Sequence, residues 1–323
     1  MSTKNFQTFG TKNTKRIGVY DLNSYGHYLS DSNWLVNGSQ AEYLSPGTYT
    51  WICPPGVTSV SVVCVGAGGG GGAGWANNGG SGGGLGYKNN IAVTPGQGYT
   101  VVVGAGGTRG QNPGQSSYFI DVNTVAGKGG NGQASNNNTY GGYVGDGGGN
   151  GGSGSSWQGG GGAGGYAGNG GDQSASAALN SGAGAGGSSY SSTWGTGAGG
   201  GVGIYGIRTD YTAARGRGYG SSTGRGGTTT ARSTYLGGLG GEGGSQRTGI
   251  VSGELTGYHG CNGENSTYGN NGNSIHGGYP GGGAGGAGTS NGGGNGADGA
   301  VRIIWPGEGQ TRAFPNTNCE DIQ

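Results

Sequence analysis

The chain has 323 residues and a formal net charge of +1, and 93 of its residues are glycine while only 8 are proline. Collagen is excluded, because glycine runs such as 68–72 break the Gly-X-Y repeat that a triple helix requires. With 9% charged residues, the chain also lacks the basic surface that electrostatic capture of nucleic acid or of an anionic membrane needs.

Disorder is the other interpretation of so much glycine, since compositions of this kind are usual in low-complexity chains. Disordered segments are poor in aromatic residues, whereas 19 Tyr and 6 Trp are spread among these glycines. An apolar core alone cannot offset the backbone entropy of ordering glycine, because only 29% of the residues are hydrophobic. Backbone hydrogen bonds must supply the rest, and left-handed helices with three residues per turn, packed side by side, would form them.

Residues 1–40 form a polar segment with few glycines and no helical period. Residues 1–15 lack the apolar region of a signal peptide, and no stretch has the length of a transmembrane helix. We expect the segment to be either an arm that attaches the protein to a larger assembly or an extension packed on its own domain.

Short β-branched runs separated by Pro-Gly turns predict strands between 41 and 130 and again near the end of the chain. The turns at 54–56 and 95–96 each separate a hairpin-like pair. The predicted strands are 48–53, 59–65, 91–93, 99–103, 118–122 and 300–305. The last strand needs a partner from the earlier set, so we expect a small antiparallel β domain built from 41–130 plus 300–306.

The region 127–299 is then a large insertion anchored on the β domain at both ends. Its glycine blocks alternate with segments rich in side chains, and two further blocks at 66–74 and 79–86 follow the second strand. We expect packed polyglycine II helices with aromatic loops, almost no α-helix, and a C-terminal tail at 307–323.

Catalysis and metal binding find no support in the side chains. The three histidines have no H-x-x-x-H spacing, the carboxylates show no paired arrangement, and the four cysteines at 53, 64, 261 and 319 lack C-x-x-C spacing. Matches to G-x-G-x-x-G arise here from composition and mean something only between a strand and a helix. We predict no enzymatic activity, no metal and no cofactor, and we expect free, half-buried thiols, although a disulfide stays open.

The basic residues concentrate in one stretch, where Arg215-Gly-Arg217 and Gly224-Arg-Gly resemble RGG-type nucleic-acid segments. The near-neutral chain argues against nucleic acid. A patch that meets an anionic glycan is the better functional hypothesis, and a solvated surface is the simpler one.

Tyrosine and tryptophan beside glycine, serine and asparagine are typical of binding loops. The alternative is that the rings fill gaps at the edges of the glycine array. Candidate receptor-binding residues, taken from the aromatic and basic stretches together, are Trp157, Tyr190, Trp194, Tyr205, Arg208, Tyr211, Arg215, Arg217, Tyr219, Arg225, Tyr235, Tyr258 and Tyr268.

Two motifs frame the chain. The stretch 49–72, Tyr-Thr-Trp-Ile-Cys-Pro-Pro-Gly-Val followed by a strand and polyglycine, resembles the opening of glycine-rich domains in phage tail-fibre and virion proteins. The stretch 296–307, Gly-Ala-Asp-Gly-Ala-Val-Arg-Ile-Ile-Trp-Pro-Gly, with 312–318, is similar to the end of such domains in marine T4-like, cyanophage-type structural proteins. The alternation of glycine blocks and loops resembles the adhesins of T-even-like phages, in which polyglycine helices present receptor-binding loops.

The resemblance implies a structural protein on the virion surface, a tail-fibre component or adhesin. Its partners would be other virion proteins, reached through the N-terminal arm, and a host surface glycan or outer-membrane protein, with no nucleic acid and no membrane insertion. Two alternatives stay open: a purely architectural capsid decoration or fibre connector, and a non-viral extracellular matrix or ice-binding protein.

Overall fold

In this computed structural model the structure describes residues 7–9, 18–20, 38–72, 79–132, 140–154, 159–172, 198–206, 281–282, 294–307 and 311–315. Within these ranges the regular structure is β and no helix is present. The strands are β1 (Gln7–Phe9), β2 (Gly18–Tyr20), β3 (Ser39–Tyr43), β4 (Gly47–Ile52), β5 (Ser59–Val65), β6 (Leu85–Ala92), β7 (Gly98–Val103), β8 (Ser117–Phe119), β9 (Val125–Gly127), β10 (Tyr143–Val144), β11 (Gly147–Gly149) and β12 (Ala300–Trp305).

Two five-stranded antiparallel sheets carry the β structure, and β1 and β2 pair separately. Sheet I has the order β11-β6-β5-β12-β3, and sheet II has the order β10-β9-β8-β7-β4. The central strands of sheet I are buried along almost their whole length, whereas β7 of sheet II alternates between exposed and buried residues. Sheet I is therefore a middle layer. It shares one core with sheet II and packs its other face against the glycine-rich part of the chain.

The terminal strand pairs as the sequence predicts. β12 lies between β5 and β3, with Ala300 opposite Val65 and Ile304 opposite Ser61. This pairing joins the two ends of the chain's β structure across more than two hundred residues, so the glycine-rich region between them begins and ends at the same sheet.

The predicted hairpins are wrong. The turn at 95–96 connects β6 in sheet I to β7 in sheet II, and the turn at 54–57 likewise connects β4 in sheet II to β5 in sheet I. The two turns instead bond to each other, since the Gly96 N–H donates to the Cys53 carbonyl at 2.8 Å and the Cys53 N–H donates to the Gln97 carbonyl at 2.9 Å. Crossing between the layers lets Trp51 and Val60, on either side of one turn, enter the same core.

The glycine segment 66–72 shows a hydrogen-bond period of three residues. Its successive N–H groups donate in turn to the segments 81–84, 112–115 and 294–297, at 2.8 to 3.0 Å, and each neighbour recurs at every third residue. Three residues per turn is the geometry of the polyproline II type of helix, which leaves all backbone groups free to bond outward. The glycines of 66–72 and 79–84 have no positive φ, as a left-handed helix with a φ of about −75° requires. Gly110, at the end of the segment 107–110, has a φ of 100°.

Two segments, 66–72 and 79–84, are enclosed on all sides. The first donates to three neighbours and receives N–H groups from others, and Gly281 lies against the Gly66 carbonyl. Its six neighbours are 81–84, 107–110, 112–115, 128–131, 281–282 and 294–297. The neighbours of 79–84 are 66–69, 128–131, 141, 152, 161–164 and 281. We call this hexagonal arrangement the glycine lattice. Its hydrogen bonds between segments pair the buried backbone N–H and C=O groups, which in a proline-rich or disordered chain would bond to water.

Position in the lattice decides where side chains fit. At Gly82, in an enclosed segment, an added Cβ would overlap the Gly162 carbonyl. Peripheral segments instead carry a side chain at every third residue, on the face turned away from the lattice, in an x-Gly-Gly-x pattern. These side chains, exposed or half-buried, are Lys128 and Asn131, Asn150 and Ser153, Asn169 and Asp172, and, with Ala in place of one glycine, Asn295 and Asp298. A three-residue period is thus present locally, although the chain as a whole has none.

Residues 311–315 pack back onto sheet I. The side-chain amide of Asn89 donates to the Phe314 carbonyl at 2.7 Å and its oxygen accepts the Phe314 N–H at 2.8 Å. The β5–β6 register shifts between the pairs Val60–Ile91 and Val62–Lys88, so Asn89 has no partner residue on β5 and its side chain can bond to Phe314. Asn90, in the same irregularity, has a φ of 54°. Phe314 itself is 3% exposed. This part of the region predicted as a tail therefore belongs to the packed structure.

Replacing Asn89 with Ala is expected to release residues 311–315. The change removes both hydrogen bonds to Phe314, each contributing about 1 kcal/mol, and leaves two partly buried backbone groups unpaired. Hydrogen exchange at the Phe314 amide should accelerate at least tenfold while amides in β5 and β12 stay protected. Asn123→Ala, at an exposed turn, is the matched control, and equal protection of Phe314 in both variants would contradict this docking role.

Candidate functional site

Of the thirteen candidate receptor-binding residues, Tyr205 lies in the described part of the chain. The structure places the other candidates in none of the described ranges, so their roles stay predictions. These are Trp157, Tyr190, Trp194, Arg208, Tyr211, Arg215, Arg217, Tyr219, Arg225, Tyr235, Tyr258 and Tyr268.

Tyr205 is a packing residue, which corrects its assignment to a receptor-binding loop. Its side chain is 6% exposed, its hydroxyl donates to Glu42, and its ring lies 3.8 Å from the Arg302 guanidinium carbon. A ring buried to this extent does not present a face to a receptor. The alternative interpretation, that aromatic rings fill gaps at the edge of the glycine array, describes this residue.

Arg302 is a buried cation at the centre of sheet I, and it is 0% exposed. Its Nε lies 3.1 Å from a carboxylate oxygen of Glu42, and its remaining nitrogens donate to the Ile204 carbonyl at 3.4 Å and to the Gln40 side chain at 3.3 Å. A buried charge is tolerated only with such partners. We call Glu42, Tyr205 and Arg302 the anchor cluster, because it connects β3, β12 and the glycine-rich segment 198–206.

Sequence reasoning missed the anchor cluster, although one signal pointed to it. Arg302 is the single charged residue in the run Ala-Val-Arg-Ile-Ile-Trp, and a charge inside a fully apolar strand indicates a buried ion pair. Its partner Glu42 lies 260 positions away in the chain, so the pair itself could not be found by spacing.

The described residues on either side of 207–280 are bonded to the scaffold. Before it, the Gly206 N–H donates to the Tyr166 hydroxyl at 3.1 Å, and Ile204 is fully buried. After it, the Gly281 N–H donates to the Asp298 carbonyl at 3.0 Å, and the Gly281 carbonyl accepts the Gly83 N–H at 2.8 Å. Most of the candidate receptor-binding residues thus belong to the stretch between Gly206, which is bonded to Tyr166, and Gly281, which is bonded within the glycine lattice.

Burial and hydrogen bonds shift the pKa of a few groups in the described part of the chain. Burial raises the pKa of Asp298, although the Gly106 N–H, donated at 2.8 Å, opposes this rise. Burial also raises the pKa of the Cys64 and Cys53 thiols, which are free and lie in the shared core, more deeply than the half-buried positions expected. The pKa of Asp121 is lowered by the backbone N–H of Asn123.

The described residues hold no group of three His, Cys, Asp or Glu side chains that could bind a metal ion. In the same ranges, no helix has the length and apolar character needed to cross a membrane. Each of these pKa shifts is explained by burial or by a hydrogen bond of the group itself.

Two packed sheets, of which sheet I also packs against the glycine lattice, define the class of this protein as a glycine-rich domain. A family model described as a glycine-rich domain matches residues 44–306, which is most of the chain, and the chain belongs to that family. The match begins just before β4 and ends just after β12, so it covers the lattice and every strand of the two sheets except β3. No curated protein matches the chain.

Proposed function

We propose that this chain is a phage virion structural protein, a tail-fibre component or adhesin on the virion surface that binds a host-cell receptor. The receptor would be a surface glycan or an outer-membrane protein, contacted by the aromatic and arginine-bearing stretches that interrupt the lattice. Residues 1–40 would attach the protein to other virion proteins, and the protein would perform no catalysis.

The observation that carries this proposal is the anchoring of Gly206 and Gly281, the residues on either side of 207–280. Both of these flanking residues are bonded to the scaffold. A scaffold built from backbone hydrogen bonds places few constraints on the residues inserted between its segments. Binding residues on variable segments held by a rigid framework are the usual division of labour in recognition proteins.

Composition supports the kind of ligand. Between 208 and 232 the chain has five arginines and one aspartate, with Tyr211 and Tyr219 among them. Guanidinium groups pair with carboxylates and phosphates of anionic glycans, and tyrosine rings provide rigid amphipathic contact area.

The test is excision of the inserted stretch at its anchors. Residues 208–279 are replaced by a short Gly-Ser linker, which keeps Tyr205, Gly206 and Gly281 in place. The full chain is expected to bind lipopolysaccharide or outer-membrane vesicles from candidate bacterial hosts, and the excised chain is expected to stay folded and lose at least tenfold in affinity. A finer variant, Arg215→Gln with Arg217→Gln, should weaken binding, whereas the control Arg109→Gln should not.

Binding that survives the excision would contradict the receptor role of this stretch. If neither chain binds any host fraction and the excised chain fails to enter virions, the architectural alternative holds instead.

A further inference from the structure

The sandwich has four edge strands, and three of them carry a recognisable protection against further pairing. Edges are usually kept from pairing with other chains by shortness, charge, proline, bulges or a covering segment. β10 and β11 have two and three residues. β3 carries Glu42, and Arg312 from the segment 311–315 donates to the Ser39 carbonyl and to Gln40.

Among the described residues, nothing protects the fourth edge, β4, in any of these ways. It runs for six residues, Gly47–Ile52, in unbroken register with β7, and contains no charge and no proline. Thr48 and Thr50 are exposed and Ile52 is 58% exposed. In the part of the chain that the structure describes, β7 is the ladder neighbour of β4, and the opposite side of β4 is open.

We propose that β4 pairs antiparallel with β4 of a second copy of this chain, which joins two copies of sheet II into one continuous sheet. The two-fold axis passes through Thr50. Thr50 then lies opposite the partner's Thr50, and Thr48 lies opposite the partner's Ile52. Residues directly opposite in an antiparallel pair point to the same face. The core-facing side chains of both copies therefore lie on one side only in registers that, like this one, place core-facing residues opposite core-facing residues.

The chemistry of the strand selects a second copy as the occupant. A strand with no charge meets no like charge when it pairs with itself, and a two-fold interface requires such self-complementarity. Thr–Thr and Thr–Ile pairs are favourable across strands, and the pairing would cover the exposed side chain of Ile52. On the core side, Tyr49 would meet the partner's Trp51 and extend the aromatic row in which Trp51 lies 6.0 Å from Tyr99.

The mass of the full chain in solution tests this assembly, measured by sedimentation over a range of micromolar concentrations. The unaltered chain is expected to be a dimer. Thr50→Lys is expected to be monomeric, because the register places two lysines directly opposite each other and like charges at an interface weaken association roughly a hundredfold. Thr50→Asp should dissociate for the same reason, and mixing the two variants should restore a dimer containing one of each.

Thr100→Lys is the matched control, since Thr100 lies opposite Thr50 on β7, on the same exposed face but away from the edge. It should remain dimeric. Circular dichroism establishes that all variants are folded. A monomeric unaltered chain, a dimer that tolerates lysine at position 50, failure of the mixture to pair, or dissociation by Thr100→Lys would each overturn the proposal, the last because it indicates face-to-face association.

Discussion

Replacing Gly82 with Ala is expected to abolish folding or to lower the free energy of unfolding by about 4 kcal/mol or more. Gly82 lies in an enclosed lattice segment, where its N–H donates to Gly152 at 2.9 Å and its carbonyl accepts from Gly141 at 3.1 Å. An added Cβ would overlap the Gly162 carbonyl. The Gly162 carbonyl belongs to the backbone and cannot rotate away as a side chain can, so the segments that contain Gly82 and Gly162 must move apart.

The size of the effect follows from what separation costs. Overpacking alone costs about 1–3 kcal/mol, and each hydrogen bond lost between the separated segments adds about 1 kcal/mol. The free energy of unfolding of a domain is only about 5–15 kcal/mol, so the added methyl group removes a large part of it. Chemical denaturation followed by tryptophan fluorescence measures the change.

Gly142→Ala is the matched control. The nearest atoms to a Cβ at Gly142 are the side-chain ends of Asn150 and Lys128, both at 3.8 Å, which is ordinary contact. We expect a change within about 1 kcal/mol, and a small gain in stability is consistent with alanine restricting the unfolded chain. Equal stabilities for the two variants would refute the close packing of the enclosed segment.

Glu42→Ala is expected to lower the free energy of unfolding by about 3–5 kcal/mol, because it leaves the fully buried Arg302 without its counter-charge. Gln40 and the Ile204 carbonyl still accept from the guanidinium, which favours the lower end of that range. The loss should also reach Tyr205, whose hydroxyl donates to Glu42, and so loosen the segment 198–206. Thermal unfolding and hydrogen exchange at Ile204 measure the two effects.

Lys88→Ala is the control for an exposed ion pair. Lys88 lies 3.2 Å from Asp146, and the two side chains are 40% and 44% exposed, so its loss should cost at most about 1 kcal/mol. Replacing Glu42 with Leu together with Arg302 with Met should recover much of the stability, since buried ion pairs are often replaceable by apolar groups. If Glu42→Ala and Lys88→Ala had equal effects, Arg302 would not depend on Glu42.

Local composition was enough to predict most of the strands. Alternating β-branched residues identify 48–53, 59–65, 99–103 and 300–305, and the structure has strands at all four places. β1, β2 and β9 to β11 were missed because they have only two or three residues, and β3 was missed because it contains no β-branched residue. The two Pro-Gly turns were recognised but their connections were not, because a turn has the same residues whether it returns the chain within a sheet or carries it to the next one.

Composition does not distinguish an aromatic residue in a binding site from one packed in the core. Tyr205 and Arg208 stand three positions apart in the same kind of stretch, yet Tyr205 is a core residue held by Glu42 and Arg302. A tyrosine beside glycine has the same sequence neighbourhood in a binding loop and in a packed edge. Its burial depends on partners that lie more than ninety positions away.

The amino-acid sequence by itself determined that the protein is built of short strands and glycine segments, since β-branched alternation and the absence of Cβ atoms act on neighbouring residues. Only the tertiary structure decided which glycines are indispensable. An enclosed segment such as 79–84 needs a small residue at every position, because neighbours cover every face, whereas a peripheral one such as 128–131 needs glycine at two positions of three. The pairing of Glu42 with Arg302 was decided in the same way, because chain reversals that no local pattern records bring distant residues together.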